Sequence, residues 1–309
     1  RRPPRSTPKP SSAASDVYKR QTKICRRLLA EGCWPRHWRL HRICPLYKRN
    51  SAFQAKNYRG VHLTTIFSKL AEKLIGARLA KFLQAGKFGY DQWAFTPGLS
   101  SRDLITSLVM SWILAICSGK KVSAFLGDIT GAFDRVFKDY LMAKLHCAGV
   151  GSIYMNFLDA YLQPRQAEVV VEGVASDKFR IHNTVFQGTV RGPMLWNLFF
   201  ADVSFPAAST GGNVSKFADD LSVFQRFSKE TDNGEILRVM HVCRDRVHRW
   251  GRLNRVAFDA TKEHLAIIHP LLGDCLLYTS PSPRDVEECG SAGGGCKKKV
   301  GGGGGGGGG

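Results

Sequence analysis

The sequence lacks several features that mark common protein classes. It has no apolar run near the roughly 18 residues that a membrane span needs, since the longest, Leu104 to Ile116, is short and is flanked by Arg102 and Lys120. No CxxC pair occurs among its nine cysteines, which argues against a zinc module and a disulfide scaffold. The first residues contain no apolar core segment of a secretory leader. We therefore expect no membrane partner, and reduced, intracellular thiols.

Acidic residues are also scarce. Asp and Glu total 25 against 45 Lys and Arg, which gives 309 residues a formal net charge of +20. A surplus of this size in a folded chain indicates a polyanionic partner. Between Cys25 and Asn50, basic residues alternate with Trp34, Trp38 and Tyr47. This mixture suits a nucleic-acid surface, and a solvated helix face is an equally good interpretation of that stretch alone.

The two ends differ in composition from the rest of the chain. Residues 1–21 are rich in Pro, Ser and basic residues, and residues 271–309 end in nine glycines, so composition predicts disorder for both. The peptides at 16–21 and 275–280 can be encoded by reverse-complementary DNA, an inverted repeat that resembles the adapters of a sequencing library. We therefore expect both ends to be adapter-like, with a natural basic arm and a glycine linker as the alternative.

Between these ends, the hydrophobic pattern predicts an α+β domain. Thr65 to Leu83 and Leu99 to Ile116 have the apolar spacing of helices, with Ser100 or Ser101 as the cap of the second. Val122 to Asp128 is typical of a strand, and Val214 to Phe224 of a hairpin with two aspartates at its tip. The same reasoning predicts further helices at 137–147, 153–162 and 235–253, and strands at 167–173 and 179–186.

Three aspartates stand where apolar residues would be expected. Asp128 ends an apolar strand, and Asp219 and Asp220 are adjacent between apolar segments. A buried carboxylate needs a partner, and two close carboxylates repel each other unless a cation lies between them. Converging acids would suit two Mg²⁺ ions, or Mn²⁺ in their place, in the arrangement used for phosphoryl transfer. A turn or cap role remains open for each acid taken singly.

An ordered set of motifs surrounds these aspartates. Residues 128–133 (DITGAF) resemble motif A of reverse transcriptases, residues 187–193 (QGTVRGP) motif B, and residues 217–220 (FADD) motif C. Upstream, PLYKR at 45–49, NYR at 57–59 and QWAFTPG at 92–98 resemble the fingers signature and the template-side segment, and residues 250–264 are similar to motif D. The resemblance is to the reverse transcriptase domain of non-LTR (LINE-type) retrotransposons, and it covers about residues 38–270.

This resemblance implies a fold. The family has a right-hand polymerase fold, so we expect fingers over residues 22–118 and a palm over residues 119–270 with inserted fingers elements. The palm would be a ferredoxin-like antiparallel sheet backed by helices, and the thumb would be missing. Residues 1–21 and 271–309 would lie outside the fold.

The resemblance also implies roles at the reacting centre. Asp128 and Asp219 would be the main metal ligands, with Asp220 as the secondary acid and the backbone carbonyl of Ile129 as a further oxygen. Phe133 would be the steric gate that excludes a ribose 2′-hydroxyl, although a Phe at this spacing also suits a core position.

Further roles concern the nucleotide. Gln187 and Gly188 would line the nascent base pair, with glycine allowing close backbone approach. Lys48 and Arg59 would neutralise the triphosphate, although either alone suits an ordinary surface position. Lys262 would be the general acid that protonates pyrophosphate.

The chain departs from the family pattern at a few positions. Phe217 replaces the Tyr of motif C, and Gly60 replaces the Pro after Asn57-Tyr-Arg59. Arg191 stands where the family has an aliphatic residue, and we expect it on the surface. The HxxxH spacing of His37 and His41 would suit zinc on one helix, but Pro35 interrupts such a helix and no zinc is assigned.

The function implied is that of an RNA-directed DNA polymerase. It would extend a DNA primer with dNTPs along an RNA template, would act in the nucleus, and would have lost its thumb and the flanking domains of the same polyprotein. The alternatives are a group II intron maturase-like reverse transcriptase, an RNA-dependent RNA polymerase, and a catalytically dead remnant that only binds nucleic acid. Phe133 and FADD argue against the RNA polymerase, and the intact aspartates argue against the remnant.

Overall fold

The computed structural model describes residues 12–86, 88–182, 185–269 and the backbone of 276–279. Two five-stranded sheets and the surrounding helices make up this part of the chain, which confirms the α+β class. The helices are α1 Ser12–Ala30, α2 Ile66–Gln84, α3 Ser101–Cys117, α4 Lys138–Cys147, α5 Ser152–Tyr161, α6 Gly192–Phe199, α7 Ser204–Ala208 and α8 Asn233–Leu253. The strands are β1 Leu40–Tyr47, β2 Tyr58–Leu63, β3 Lys121–Asp128, β4 Arg165–Val171, β5 Val174–Ala175, β6 Phe179–Ile181, β7 Asn213–Phe217, β8 Asp220–Phe227, β9 His264–Ile268 and β10 Leu276–Thr279.

The first sheet has the order β10-β9-β3-β8-β7, with antiparallel neighbours throughout. Its centre is β3, whose alternate side chains pack on two sides. Phe125 belongs to the main core, and Val122 packs with Ala115 of α3 and Phe224 of β8. Because both faces are covered, β3 is buried over most of its length, and Asp128 at its end is partly exposed.

The second sheet joins distant parts of the chain. β1 pairs antiparallel with β2 and parallel with β4, and β4 also pairs with β5 and β6. The β1–β2 hairpin places Arg59 opposite Leu46, and Lys48 follows the end of β1. The loop end of this hairpin therefore carries several basic residues, Lys48 and Arg59 among them.

The helices cover the first sheet and are capped where the sequence indicates. Thr65 caps α2, Ser100 forms a capping box with Asp103 at the start of α3, and Asp232 caps α8. Helix α6 is almost wholly buried because its sequence, GPMLWNLF, is apolar on all sides. No helix in the described ranges is both long and apolar enough to span a bilayer.

Two segments expected to lie outside the fold have regular backbone structure. Helix α1 begins at Ser12, inside the segment 1–21 for which composition predicts disorder. Residues 16–20 are exposed on it, so they extend a helix whose core contact, Leu28, lies further on. Strand β10 lies in the predicted adapter-like tail and pairs with β9, because an edge strand offers unpaired backbone groups to any extended segment. Residues 1–11 and 280–309 lie outside the described part.

A third difference concerns Arg191, which is buried and not on the surface. Its side chain is 1% exposed and lies over the Phe157 ring, 5.5 Å from the centroid. Gly76 of α2 makes room for it, since a Cβ there would lie 3.1 Å from the guanidinium carbon. The backbone N–H groups of Val190 and Arg191 donate to Glu72 Oε2 at 2.8 and 3.3 Å. Arg191 therefore helps to anchor the 187–193 loop on α2.

Candidate active site

The three aspartates meet at the end of the first sheet. The register of β3 and β8 places Asp128 directly opposite Asp220. Asp219 lies in the two-residue turn between β7 and β8, after Ala218, whose φ is 57°. A hairpin with a two-residue loop needs positive φ in that loop, and here Ala218 adopts it without being glycine.

The carboxylates influence one another. Desolvation, followed by the charges of Asp219 and Asp128, raises the pKa of Asp220 to about 6. Burial is also the largest cause of the raised pKa of Asp219, to which Asp128 adds, while Arg59 and Lys262 oppose the rise. Carboxylates whose charges raise one another's pKa favour either a proton or a cation between them. The site is therefore poised to bind positive charge.

Lys262 supplies one positive charge from the protein itself. Its ammonium donates a hydrogen bond to Asp128 Oδ2 and lies 3.6 Å from Asp259 Oδ2. The backbone N–H of Asp259 donates to the carbonyl oxygen of Asp128 at 2.8 Å, which fixes the Lys262 segment beside β3. The hydrogen bond to Asp128 raises the pKa of Lys262. Lys262 thus holds its proton more firmly while it is paired with Asp128.

The donor chemistry fits divalent cations. Mg²⁺ and Mn²⁺ take hard oxygen ligands, and Asp128, Asp219 and Asp220 offer them on two adjacent strands. In the described ranges, no three such side chains already surround a common point. Ile129 is buried, and its backbone pairs with Phe258 in an isolated bridge. The side chains that would hold such ions are those of Asp128, Asp219 and Asp220.

A cavity of about 330 Å³ adjoins the aspartates. Asp128, Asp220 and Lys262 line one side of it, and Leu104 and Ile105 of α3 line another. A larger cavity of about 510 Å³ is lined by residues such as Tyr90, Lys144 and Phe205 and by none of the three aspartates. The smaller cavity is therefore the one relevant to the site, because two of the three aspartates line it.

Phe133 follows Asp128 on a short 3-10 turn, Ala132–Arg135. It is half-buried, and its ring packs against Trp196 of α6 with centroids 5.6 Å apart. Trp196 is fully buried, so it fixes the position of the Phe133 ring from behind. The sequence indicated Phe133 but gave no signal for the partner that holds it.

Two basic residues of the β1–β2 hairpin act on aspartates of this region. The charge of Arg59 lowers the pKa of Asp219. Partial burial raises the pKa of Asp134, and the charge of Lys48 opposes that rise. Arg59 therefore acts on one of the three aspartates, whereas Lys48 acts on the turn that carries Phe133.

Gln187 and Gly188 lie against β2. The carbonyl oxygen of Gln187 accepts a hydrogen bond from the His62 backbone N–H at 2.8 Å. Gly188 has φ +96°, and a Cβ there would lie 2.8 Å from the His62 carbonyl oxygen. The close approach that requires glycine is thus to the backbone of β2, a contact that the motif alone did not indicate.

A buried histidine pair supports this contact. His41 Nδ1 and His62 Nδ1 lie 3.2 Å apart, and both rings pack on Phe186. Desolvation lowers the pKa of His41 to about 3 and that of His62 to about 4. The pair is therefore neutral at physiological pH and forms part of the core beneath the 187–193 loop.

A sheet that carries acidic residues on one strand and on a neighbouring hairpin, faced by cations from a second sheet, defines the palm and fingers of a nucleic-acid polymerase. The reverse transcriptase (RNA-dependent DNA polymerase) family matches residues 47–271, and the chain belongs to this family. The family generally uses divalent metal ions.

Relatives from mobile elements have the same domain. The chain is 26% identical over 235 residues to a probable RNA-directed DNA polymerase from transposon X-element of Drosophila melanogaster, covering 75% of this chain and 25% of that protein. It is 28% identical over 207 residues to the probable RNA-directed DNA polymerase from transposon BS of the same organism, covering 65% and 23%. The chain thus spans about a quarter of the length of these relatives.

Solved structures show the same fold. Apo telomerase from Candida tropicalis, truncated from its C-terminal domain, aligns with a TM-score of 0.53 at 10% identity over 84% of this chain and 60% of that one. Telomerase from Candida tropicalis in complex with the TWJ fragment of telomeric RNA also aligns with a TM-score of 0.53, at 9% identity, over 84% of this chain and 48% of that one. Together with the family match, these alignments confirm the fingers-and-palm expectation.

Proposed function

We propose that this chain is the fingers and palm of a non-LTR retrotransposon reverse transcriptase, which extends a DNA primer along an RNA template with dNTPs. The observation that carries the proposal is the set of three mutually repelling carboxylates, Asp128, Asp219 and Asp220, at the end of a palm sheet. Family membership supplies the reaction class, and the basic net charge suits two nucleic-acid strands.

Asp128 and Asp219 would hold two divalent cations, with Asp220 and the carbonyl oxygen of Ile129 as additional oxygens. When bound, such ions lower the pKa of the primer 3′-hydroxyl and neutralise charge on the triphosphate. The protein's part is to keep the carboxylates ionised and oriented. Arg59 and Lys262 favour the ionised form of Asp219, since their charges lower its pKa.

Other side chains would act on the nucleotide. Lys48 and Arg59 would pair with the triphosphate from the fingers side, and Gln187 and Gly188 would contact the nascent base pair. Phe133 would fill the space that a ribose 2′-hydroxyl needs, because Trp196 holds its ring from behind. Lys262 would donate a proton to pyrophosphate once the triphosphate draws it away from Asp128.

The test is primer extension on an RNA template by the full chain fused to a matching thumb of a related reverse transcriptase. We expect Asp128→Asn or Asp219→Asn to abolish Mg²⁺-dependent extension, because each removes a charge that holds the ions. Losses of several orders of magnitude correspond to several kcal/mol of transition-state stabilisation.

The matched control is Asp139→Asn, which changes an exposed aspartate on α4 in the same way. Template affinity, measured separately, should be nearly unchanged in all three variants. Extension by Asp128→Asn and Asp219→Asn within about tenfold of the unsubstituted chain would refute the proposal, because tenfold is only about 1.4 kcal/mol.

A further inference from the structure

The turn that carries Asp219 is held by side chains from outside its own hairpin. Ala218 has a left-handed backbone, which is unfavourable for a residue with a Cβ. Such a conformation persists where surrounding contacts fix it. Both backbone polar groups of Ala218 have partners at this turn, and each partner comes from a different element.

Gln92 is the first partner. Its Oε1 accepts hydrogen bonds from the N–H of Ala218 at 3.2 Å and of Ala94 at 3.0 Å, and its Nε2 lies 3.5 Å from the Ala218 carbonyl oxygen. The side chain is buried, with 2% exposure. Gln92 therefore binds the turn from residues 92–98, the segment that resembles the template-side segment of the family.

The backbone around Gln92 is fixed to strand β7. Gln92 forms a parallel bridge with Lys216, the Lys216 N–H donates to the Asp91 carbonyl oxygen at 2.7 Å, and the Trp93 N–H donates to the Lys216 carbonyl oxygen at 2.9 Å. The Lys216 ammonium, which is fully buried, pairs with Asp91 at 3.0 Å. Because these contacts fix the backbone, the Gln92 side chain is aimed at the turn with little freedom.

Trp196 is the second partner. Its Nε1–H donates to the Ala218 carbonyl oxygen at 2.9 Å. The other side of the same indole packs on Phe133, at a centroid distance of 5.6 Å. One rigid side chain thus touches both the turn before Asp219 and the residue proposed to select the sugar.

We propose that Gln92 and Trp196 are positioning residues that hold the Ala218 turn, and so Asp219, in place for metal binding, and that Trp196 also sets the position of Phe133. This inference rests on the proposed function. We call the hydrogen bonds that Gln92 and Trp196 make with Ala218 the clamp. The three carboxylates repel one another, so without the clamp the turn would relax and carry Asp219 away from Asp128. Metal affinity would then fall although every ligand is still present.

The two residues should differ in what they control. The Gln92 side chain bonds to the turn and to the N–H of Ala94 in its own segment, so its loss should weaken metal binding and leave sugar selection alone. Trp196 contacts the turn through its N–H and Phe133 through its ring. Trp196→Phe removes the N–H and keeps an aromatic ring, whereas Trp196→Leu removes both.

The first measurement uses Mn²⁺ alone as the probe, bound to the full chain and followed by electron paramagnetic resonance. We expect Gln92→Met and Trp196→Phe each to raise the Mn²⁺ dissociation constant about five- to thirtyfold, the range expected for losing one or two ordinary stabilising contacts. Thr96→Val is the matched control, because Thr96 donates to the Gln92 carbonyl oxygen and does not touch the turn. It should leave Mn²⁺ binding unchanged.

The second measurement is the ratio of kcat/KM for ribonucleotide and deoxynucleotide in primer extension. We expect this ratio to be unchanged in Gln92→Met and Trp196→Phe and to shift towards ribonucleotides in Trp196→Leu. A general loss of folding would not produce this difference in the ratio between Trp196→Leu and the other two variants. The melting temperature of each variant is measured alongside, and Gln92→Met and Trp196→Phe are the variants on which the proposal depends.

The possible outcomes distinguish a failure of the clamp proposal from a failure of the proposed function. Mn²⁺ binding that Asp219→Asn removes supports the proposed function, and unchanged binding in Gln92→Met and Trp196→Phe would then overturn the clamp alone. If the unsubstituted chain neither binds Mn²⁺ nor extends a primer, the proposed function fails and the clamp has no metal to position. A shift in sugar selection in Gln92→Met would contradict the division of roles.

Discussion

Phe133 shows how one side chain would decide which nucleotide is used. It is half-buried, with one side of its ring against Trp196. We expect Phe133→Val to raise ribonucleotide incorporation relative to dNTP incorporation by about tenfold or more, because shortening the side chain opens room for the 2′-hydroxyl. A pocket change of a few carbon atoms has an effect of about 1–3 kcal/mol.

The measurement is the ratio of kcat/KM for a matched pair of ribonucleotide and deoxynucleotide. Phe205→Val is the control, since Phe205 is 79% exposed and lies away from the aspartates. An unchanged ratio in Phe133→Val would reject the steric gate and leave Phe133 as an ordinary packing residue.

Asp220 gives a prediction about pH. Its pKa is raised to about 6 from an ordinary value of 3.8, so the folded chain holds this proton more tightly than the unfolded chain. The stability that this group contributes is therefore fully present below about pH 4 and is lost as pH rises through about 6. We expect Asp220→Asn to gain stability relative to the unsubstituted chain above pH 6 in the absence of divalent ions.

The gain should be about 1 kcal/mol or less, because Asp220 is exposed and solvent screens its charge. Urea unfolding between pH 4 and 8 measures it. Parallel pH profiles for the two proteins would show that repulsion at this position does not affect stability. Adding Mg²⁺ at pH 7.5 should narrow the difference, because the ions would bind more tightly to the protein that has all three carboxylates and so stabilise it more.

At the scale of secondary structure elements, the buried charges between α2 and the 187–193 loop carry the next prediction. Burial raises the pKa of Glu72, and the charge of Arg191 opposes that rise. We expect Arg191→Met to lower the free energy of unfolding by about 3 kcal/mol, because it removes the larger of the two positive charges that act on the buried Glu72 and leaves only the weaker effect of Arg165.

The double variant Glu72→Gln with Arg191→Met should recover most of that loss, since neither charge then remains. Arg78→Met is the control, because Arg78 is exposed on the same helix. Urea unfolding of the four proteins forms a double-mutant cycle. If the loss of unfolding free energy in the double variant equals the sum of the losses in the two single variants, the charges do not act on each other.

The same elements show how far sequence reasoning reaches. Helix α3, strand β3 and the β7–β8 hairpin were predictable because apolar spacing and capping residues are local signals. The placement of three aspartates on neighbouring strands followed from the motif order. These parts of the fold are confirmed.

The parts that were missed depend on contacts between distant segments. Arg191 is buried because Gly76, more than a hundred residues earlier, leaves space for its guanidinium. Gln92 reaches the Ala218 turn because its segment pairs with Lys216. Neither contact is visible in a local pattern, because the two residues in each contact are more than a hundred residues apart in the chain.

For the whole molecule, the net charge of +20 predicts how nucleic acid binds. Each phosphate contact that displaces a counterion contributes about −0.9 to the slope of log K against log salt for a duplex. We expect the affinity for an RNA–DNA primer-template to fall steeply as salt rises, in the unsubstituted chain and in Asp128→Asn alike. Fluorescence anisotropy at several salt concentrations measures the slope, and a flat titration would contradict an electrostatic mode of binding.

The order of strands in the first sheet has a consequence for synthesis. β3 ends at Asp128, and its neighbour β8 begins at Asp220, so about 90 residues separate the two strands along the chain. At roughly 5–20 residues per second, a ribosome needs about 5 to 18 s to produce that interval. For this time β3 is outside the ribosome without β8, whereas β1 can pair with β2 as soon as β2 emerges. The end of the sheet that carries the aspartates is therefore assembled late, and chaperones that bind extended segments have time to act at β3.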